Sequence, residues 1–558
     1  MAHPSVCQVV LDALTETSTR EIFGVPGDAI NGLTEAIRRQ DAVRFIQVRH
    51  EEAGAFAASA QAKLTGRLAA CCGTAGPGAL HLVNGLYDAK MDHAPVLAIT
   101  GQVQRPFLGT DYHQEIDLES VLRDVAVFSH RIMTPEQAPR LIARACEEAI
   151  AKRGVAHISI PADLAGASVP NADRRPPAQH HRSRSLPPDE DLKHAAELLN
   201  DAEKIVILAG IGCRDAVDDV IATAETLGAP IIRTLRAKDV LPDDHALSLG
   251  GLGLLGTSPA TEAMRACDAL LMIGTDFPYE DFYPHGTPAV QIDVVPSRIG
   301  RRYPVTVGLA GHAAPTLQAL AAHLEAKTET GFLDSARRDM AAWRKDAARR
   351  ERSRETPLRP QAVAHAIGAA ARDDAVFVCD TGAVTIWAAR HLPMREGQRF
   401  TLSSSLASMG YGLPGAIGAQ LAYPERQVIA ICGDGGFAML MADFLTAVKY
   451  RLPITVVIFN NGKLGLIQME QEAQGYPEYE TGLLNPSFAK FAELCGGAGF
   501  AIEAPDTLAP TLERALADDR PAVVDVTVNP DEVAMPPDIT LSQAAHYGLA
   551  KVKEALRS

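Results

Sequence analysis

The chain has 558 residues, 47% hydrophobic and 22% charged, enough apolar material to make disorder the wrong default. At roughly 150 residues per core that length predicts three or four domains. A formal net charge of −15 and a pI near 5.6 argue against a broad nucleic-acid surface while leaving room for a small basic pocket for phosphates.

The opening MAHPSVCQVVLDAL carries neither the charged start nor the long apolar stretch of a leader. No apolar run of about 18 residues occurs in the chain, so no membrane-spanning helix is expected. Nine scattered cysteines without a CxxC pair point to reduced thiols in a cytoplasmic protein. In the first block (1–175), the strand VRFIQVR leads into a helix of small residues, EEAGAFAASAQAKLTG, predicted to stop at Gly66. LAACC, the turn GTAGPG, a helix through Tyr87 and the strand PVLAIT follow. Residues 171–191, rich in Pro, Arg and His, read as a linker. The His180–His181 pair there is taken as solvated, since no further ligand stands at metal-site spacing. The second block (190–328) offers the strands KIVILAG, APIIRTL, DALLMIG and AVQIDVV; its AGIGC is a lone GxG and weak as a nucleotide signal. A charged helical connector, roughly 326–360, should run no further than Pro357. The third block (357–535) gives AVFVCD, QVIAICGD, ITVVIFNN and PAVVDVTV, and a tail occupies 536–558. Short, nearly continuous apolar strands alternating with helices predict an α/β fold of three doubly wound parallel-sheet domains.

The third block holds the most informative stretch. VIAIC ends in the turn GDGG, and the next strand, ITVVIF, ends in NNGKLG. Ligands of open α/β sheets sit beyond the carboxyl ends of strands, so both turns share a rim. Gly433, Gly435 and Gly436 let backbone approach a ligand, while Asp434 and the asparagines supply oxygens suited to Mg²⁺. These residues together suggest a Mg²⁺-bridged diphosphate. A GDG turn alone is more often a capped helix. GDG, then 24 residues, then NN resembles the thiamine-diphosphate signature. That resemblance implies Mg²⁺ held by Asp434, Asn461 and the carbonyl of Lys463, with Gly27, Met409, Gly433, Gly435, Gly436 and Leu464 at the cofactor.

RHEEAGAFAASAQAKLTG is similar to the catalytic-glutamate region of the same family, which implies that Glu51 bonds the cofactor's aminopyrimidine. It implies a pyrimidine-binding, a central FAD-binding and a diphosphate-binding domain, and at least a dimer or a tetramer, because in the family the two cofactor-holding domains meet across subunits. GVPGDAINGL, IGTDFPYEDFYP, QIDVVPSRIG and PPDITLSQA resemble the pyruvate oxidase and quinone-linked pyruvate dehydrogenase group in particular. That group implies FAD bound by Arg236, Gly253, Thr275, Asp276, Phe277 and Asp293, and catalytic roles for Glu51, His81, Gln114 and Glu470. No Trp stands just beyond the NN turn, where acetolactate synthases commonly carry one. Leu466 and His113 replace the aromatic residues usual in oxidases. The expected activity is oxidation of pyruvate to acetate and CO₂ with electrons passing to quinone or oxygen. The alternatives are a carboligase with structural FAD, a non-oxidative 2-keto acid decarboxylase, and a non-catalytic scaffold. Retention of Glu51, Asp434 and Asn461 together speaks against the scaffold. The tail, with Ala545, Leu549, Val552 and Leu556 on one helical face, is expected to dock on the protein's own body, a peripheral contact with the inner face of the membrane being the alternative.

Overall fold

The computed structural model describes residues 3–170 and 184–532, so the expected tail and the His180–His181 pair lie outside the described residues. Three six-stranded sheets follow one another along the chain, parallel throughout. The first is built from β1 (Glu21–Gly24), β2 (Arg44–Gln47), β3 (Ala69–Gly73), β4 (Val96–Gln102), β5 (Ala126–Arg131) and β6 (Val155–Pro161), in the order β2-β1-β3-β4-β6-β5. The second uses β7 (Ile205–Ala209), β8 (Ile231–Arg233), β9 (Ser248–Gly251), β10 (Ala269–Ile273), β11 (Ala289–Asp293) and β12 (Val307–Ala310), in the order β12-β11-β10-β7-β8-β9. The third uses β13 (Val376–Cys379), β14 (Arg399–Leu402), β15 (Val428–Gly433), β16 (Ile454–Asn460), β17 (Ala498–Ile502) and β18 (Ala522–Thr527), in the order β14-β13-β15-β16-β18-β17. The expected class, three doubly wound α/β units, is the one observed.

First and third sheets repeat one strand order. The second, taken from its β9 edge, runs third-second-first-fourth-fifth-sixth, the order of dinucleotide-binding sheets. Helices cover both faces, so β3, β4, β6, β7 and β10 are buried at every position. This is why their sequences read as continuous apolar runs rather than alternating ones.

The small-residue helix Glu51–Thr65 ends where expected, on Gly66 in the left-handed conformation. Its alanines let it lie against the helix Gly412–Ala422 of the third unit at very short range. A Cβ on Gly418 would stand 2.1 Å from the Ala57 carbonyl oxygen. One core, holding Phe23 and Phe56 as well as Tyr411 and Phe437, therefore spans the first and third units. The connector helix, Gly331–Glu351, stops short of Pro357, and the helix Asp189–Asp201 begins inside the stretch expected to be linker.

All three units meet at a buried ion cluster. Lys63 Nζ lies 2.7 Å from both Asp88 and Asp92 and donates to the Leu402 carbonyl at 2.9 Å. Asp92 also accepts from Ser404 Oγ at 2.5 Å and from Ser405 N at 3.2 Å, while its carbonyl takes a bond from Arg236. Burial opposes the Lys63 charge, but the two carboxylates outweigh it and hold its pKa above the usual lysine range.

Candidate active site

Because β15 and β16 are neighbours, with Gly433 opposite Phe459, the turns that follow them emerge side by side. Asp434, only 2% exposed, accepts at Oδ2 from Gly462 N (2.8 Å) and from Asn485 Nδ2 (2.7 Å). Burial raises its carboxyl pKa, with those donors working the other way. The asparagine pair divides its labour. Asn460 donates to Asp525 at 3.0 Å and accepts from Asn485 at 3.1 Å, bracing the turn. Asn461 lines a cavity of about 540 Å³ together with Asp434 and Lys463. Gly433, Gly435, Gly436, Met409 and Leu464 line the same cavity. A Cβ on Gly435 would come within 3.0 Å of Leu464 and 3.3 Å of Met409, and one on Gly436 within 2.7 Å of Asp380 Oδ2. A side chain at 436 would collide with the buried Asp380 carboxylate, and one at 435 would have to push Leu464 and Met409 aside.

The helix Gly465–Ala473 closes one wall with Leu466, Ile467, Gln468, Met469 and Glu472. Glu470, expected at the site, is exposed and, like Glu51, outside the lining of its own chain's cavity. It lies on the other side of the helix from Gln468 and Glu472, which are buried and joined at 2.9 Å. Sequence reading missed Glu472, Asn485 and Asp525. An EQE run places two carboxylates about 200° apart around a helix without saying which faces in, and nothing in the spacing ties Asn485 to a turn 51 residues earlier.

A second cluster gathers beyond β3. Glu51, 7% exposed, opens its helix and lies 2.9 Å from His81 Nδ1, and the His81 ring stacks on His50 with centroids 4.3 Å apart. A Cβ on Gly78 would be 3.0 Å from Glu51 Oε1, and one on Gly76 would be 3.0 Å from the Gln114 Cβ. A Cβ on Gly27 would be 2.4 Å from Thr74 in the same turn region. Thus Glu51, His81, Gln114 and Gly27 surround one turn. They do not reach the 540 Å³ cavity of their own chain, whose lining includes no residue before Pro360.

Three family models match in succession: the thiamine pyrophosphate enzyme N-terminal TPP binding domain over residues 4–121, the central domain over 192–320, and the C-terminal TPP binding domain over 380–526. The chain is 46% identical over 554 residues (99% of this chain, 96% of the relative) to a Bacillus subtilis protein provisionally named as thiamine pyrophosphate-containing. It is 34% identical over 531 residues (94% and 88%) to a pyruvate oxidase of Lactiplantibacillus plantarum. It is 31% identical over 551 residues (95% and 89%) to an acetolactate synthase of Mycobacterium bovis. The chain belongs to the thiamine pyrophosphate enzyme family.

For such an enzyme the donor set fits a hard cation bridging to a diphosphate. The buried Asp434 carboxylate, the Asn461 amide and the Lys463 backbone, all on residues that line the cavity, would supply the oxygen ligands such a cation prefers.

The residues expected at FAD all lie at the carboxyl rim of the second sheet. Gly253 follows β9, Arg236 follows β8, Thr275, Asp276 and Phe277 follow β10, and Asp293 ends β11. Gly253, at φ +91°, would place a Cβ 3.0 Å from the Phe277 ring. Asp276 pairs with Arg301 and, at 2.9 Å, with Arg302. Asp293 accepts from Val295 N at 2.8 Å, and burial raises its pKa. The AGIGC glycines have a steric role here: a Cβ on Gly210 would be 2.2 Å from the Gly274 carbonyl oxygen, so the loops after β7 and β10 touch at the point where strand order reverses.

Proposed function

We propose that this enzyme oxidatively decarboxylates pyruvate to acetate and CO₂, using thiamine diphosphate with Mg²⁺ and FAD, and passes electrons from flavin to quinone or oxygen. The observation that carries the reading is the cavity wall formed by Leu466, Ile467, Gln468, Met469 and Glu472. It is aliphatic and polar, and no tryptophan stands just beyond the NN turn, where carboligases use one to shape a second keto-acid site; the tryptophan that does line the cavity, Trp387, comes from a different helix, Ala383–His391. The 34% identity to a pyruvate oxidase and the dinucleotide-type order of the second sheet support it. Bound thiamine diphosphate supplies a carbanion and an electron sink.

The chain's own residues do the rest. Asp434, Asn461 and the Lys463 carbonyl hold Mg²⁺. The glycines at 433, 435 and 436 admit the diphosphate, and Met409 and Leu464 wall its apolar side. Glu51 moves a proton at the aminopyrimidine, with His81 fixing its carboxylate and Gln114 beside it. Arg236, Gly253, Thr275, Asp276, Phe277 and Asp293 receive FAD.

Since Glu51 does not reach its own chain's cavity, a second copy supplies it, making the functional unit a homodimer or a tetramer of two such pairs. Exposed apolar side chains on the Glu51 side (Leu80, Met91, Tyr112) and near the cavity (Met439, Ile467, Leu484) suit such burial. Among the described residues no helix is long and apolar enough to cross a membrane.

The test is to mix holoenzyme with pyruvate under anaerobic conditions and follow flavin absorbance while assaying acetate and acetolactate. Bleaching at the turnover rate, with acetate on adding an artificial acceptor, is expected. Unbleached flavin with accumulating acetolactate would overturn oxidation in favour of carboligation, the second reading that 31% identity to an acetolactate synthase keeps in view.

A further inference from the structure

Strand β2 is an edge strand, paired only with β1. In a parallel strand, alternate residues direct their backbone groups to opposite sides. Arg44 and Val48 bond inward, their N–H groups donating to Arg20 O (2.8 Å) and Gly24 O (3.0 Å). The groups of Phe45, Gln47 and Arg49 therefore face the open edge. Each finds a partner on one short stretch of the third unit. Tyr450 Oη accepts from Gln47 N at 2.8 Å and donates to Phe45 O at 3.1 Å. Thr446 Oγ lies 3.3 Å from Gln47 O and 2.9 Å from Asp443 Oδ1. Asp443 Oδ1 accepts from Arg49 N at 2.9 Å, and Lys449 reaches the Gln47 side chain. Asp443, Thr446 and Tyr450 fall three and four residues apart, on one face of the segment that runs into the helix Phe444–Tyr450. Asp443 and Thr446 are buried.

The end of this ladder matters most. Arg49 is two residues before Glu51, and His50 caps the helix that Glu51 opens. A four-residue edge strand held by one neighbour frays readily. Any play at Arg49 passes directly to the Glu51 carboxylate. We propose that Asp443, Thr446 and Tyr450 are positioning residues for Glu51: by bonding Phe45 O, both backbone groups of Gln47 and Arg49 N along the open edge of β2 they fix the angle at which that carboxylate is presented. The inference rests on the reading of Glu51 as the proton-relay group.

The experiment uses the full-length enzyme loaded with thiamine diphosphate and Mg²⁺, and measures exchange of the cofactor's C2 proton for deuterium by rapid quench and NMR. Four variants are compared: Asp443→Ala, Tyr450→Phe, Asp443→Asn and Glu51→Gln. A small misplacement of a proton-transfer group predicts exchange slowed about tenfold in Asp443→Ala and Tyr450→Phe. Affinity for thiamine diphosphate should stay within about twofold, since Asp434 and Asn461 are untouched. Asp443→Asn, whose Oδ1 still accepts from Arg49 N–H, should recover exchange to within about twofold of the unaltered enzyme. If Tyr450→Phe and Asp443→Ala exchange at the unaltered rate while Glu51→Gln is slow, the ladder is merely structural and the proposal is overturned. If Glu51→Gln itself exchanges normally, the reading of Glu51 fails first and takes the proposal with it.

Discussion

Asp380 stands at the carboxyl end of β13, fully buried. Its Oδ1 accepts from Thr381 N at 2.7 Å and Gly410 N at 2.9 Å, while Oδ2 has no donor among the described residues. Burial raises its pKa from 3.8 to about 6, against the pull of the backbone N–H groups. The native state thus holds this proton more tightly than the unfolded chain does. Stability contributed at this site is therefore greatest at low pH, falls as pH rises from about 4 through 6, and levels off above. The gap between 3.8 and about 6 is worth about 3 kcal/mol at pH 7 and about half of that at pH 5. Asp380→Asn keeps the Oδ1 acceptor and carries no charge. The amide's own burial adds an offset that does not vary with pH, so the change between pH values is the decisive quantity. Calorimetry on cofactor-free protein should show the variant gaining about 1–2 kcal/mol on the unaltered chain between pH 5 and pH 7. An offset that is the same at both pH values would refute the argument, because it would mean that Asp380 titrates no differently in the fold than out of it.

Two further outcomes follow from the same structure. Glu51→Gln and Asp434→Ala chains, each inactive alone, should regain about a quarter of normal turnover when co-assembled, since half of random dimers are mixed and each mixed dimer holds one intact site. No recovery in a turnover assay of the mixture would place both groups in one chain's site. Lys63→Met leaves Asp88 and Asp92 buried without their shared cation and should cost about 3–5 kcal/mol, read as a lowered urea midpoint; an unchanged midpoint would contradict the burial of that cluster.

The apolar strand runs, the turn glycines and the small-residue helix were legible in the sequence because each expresses a local rule: period, turn geometry, close approach of backbones. The GDG and NN turns were legible for the same reason, two short segments at a fixed separation on neighbouring strands. Other features depended on contacts between residues far apart in the chain, which no local pattern encodes. Asn485 grips Asp434, and Glu472 lines its own chain's cavity while Glu470, two residues earlier, does not, because of how one helix is rolled on its neighbours. Lys63 brings two carboxylates of its own unit and the Leu402 carbonyl of the third unit into one buried cluster. The open edge of β2 is closed by residues nearly 400 positions later, Asp443 lying 394 from the Arg49 it holds. The sequence by itself determined which groups could do the chemistry. Only the tertiary structure decided which of them share a site, because burial and hydrogen-bond partners are set by packing between units rather than by the order of residues within one.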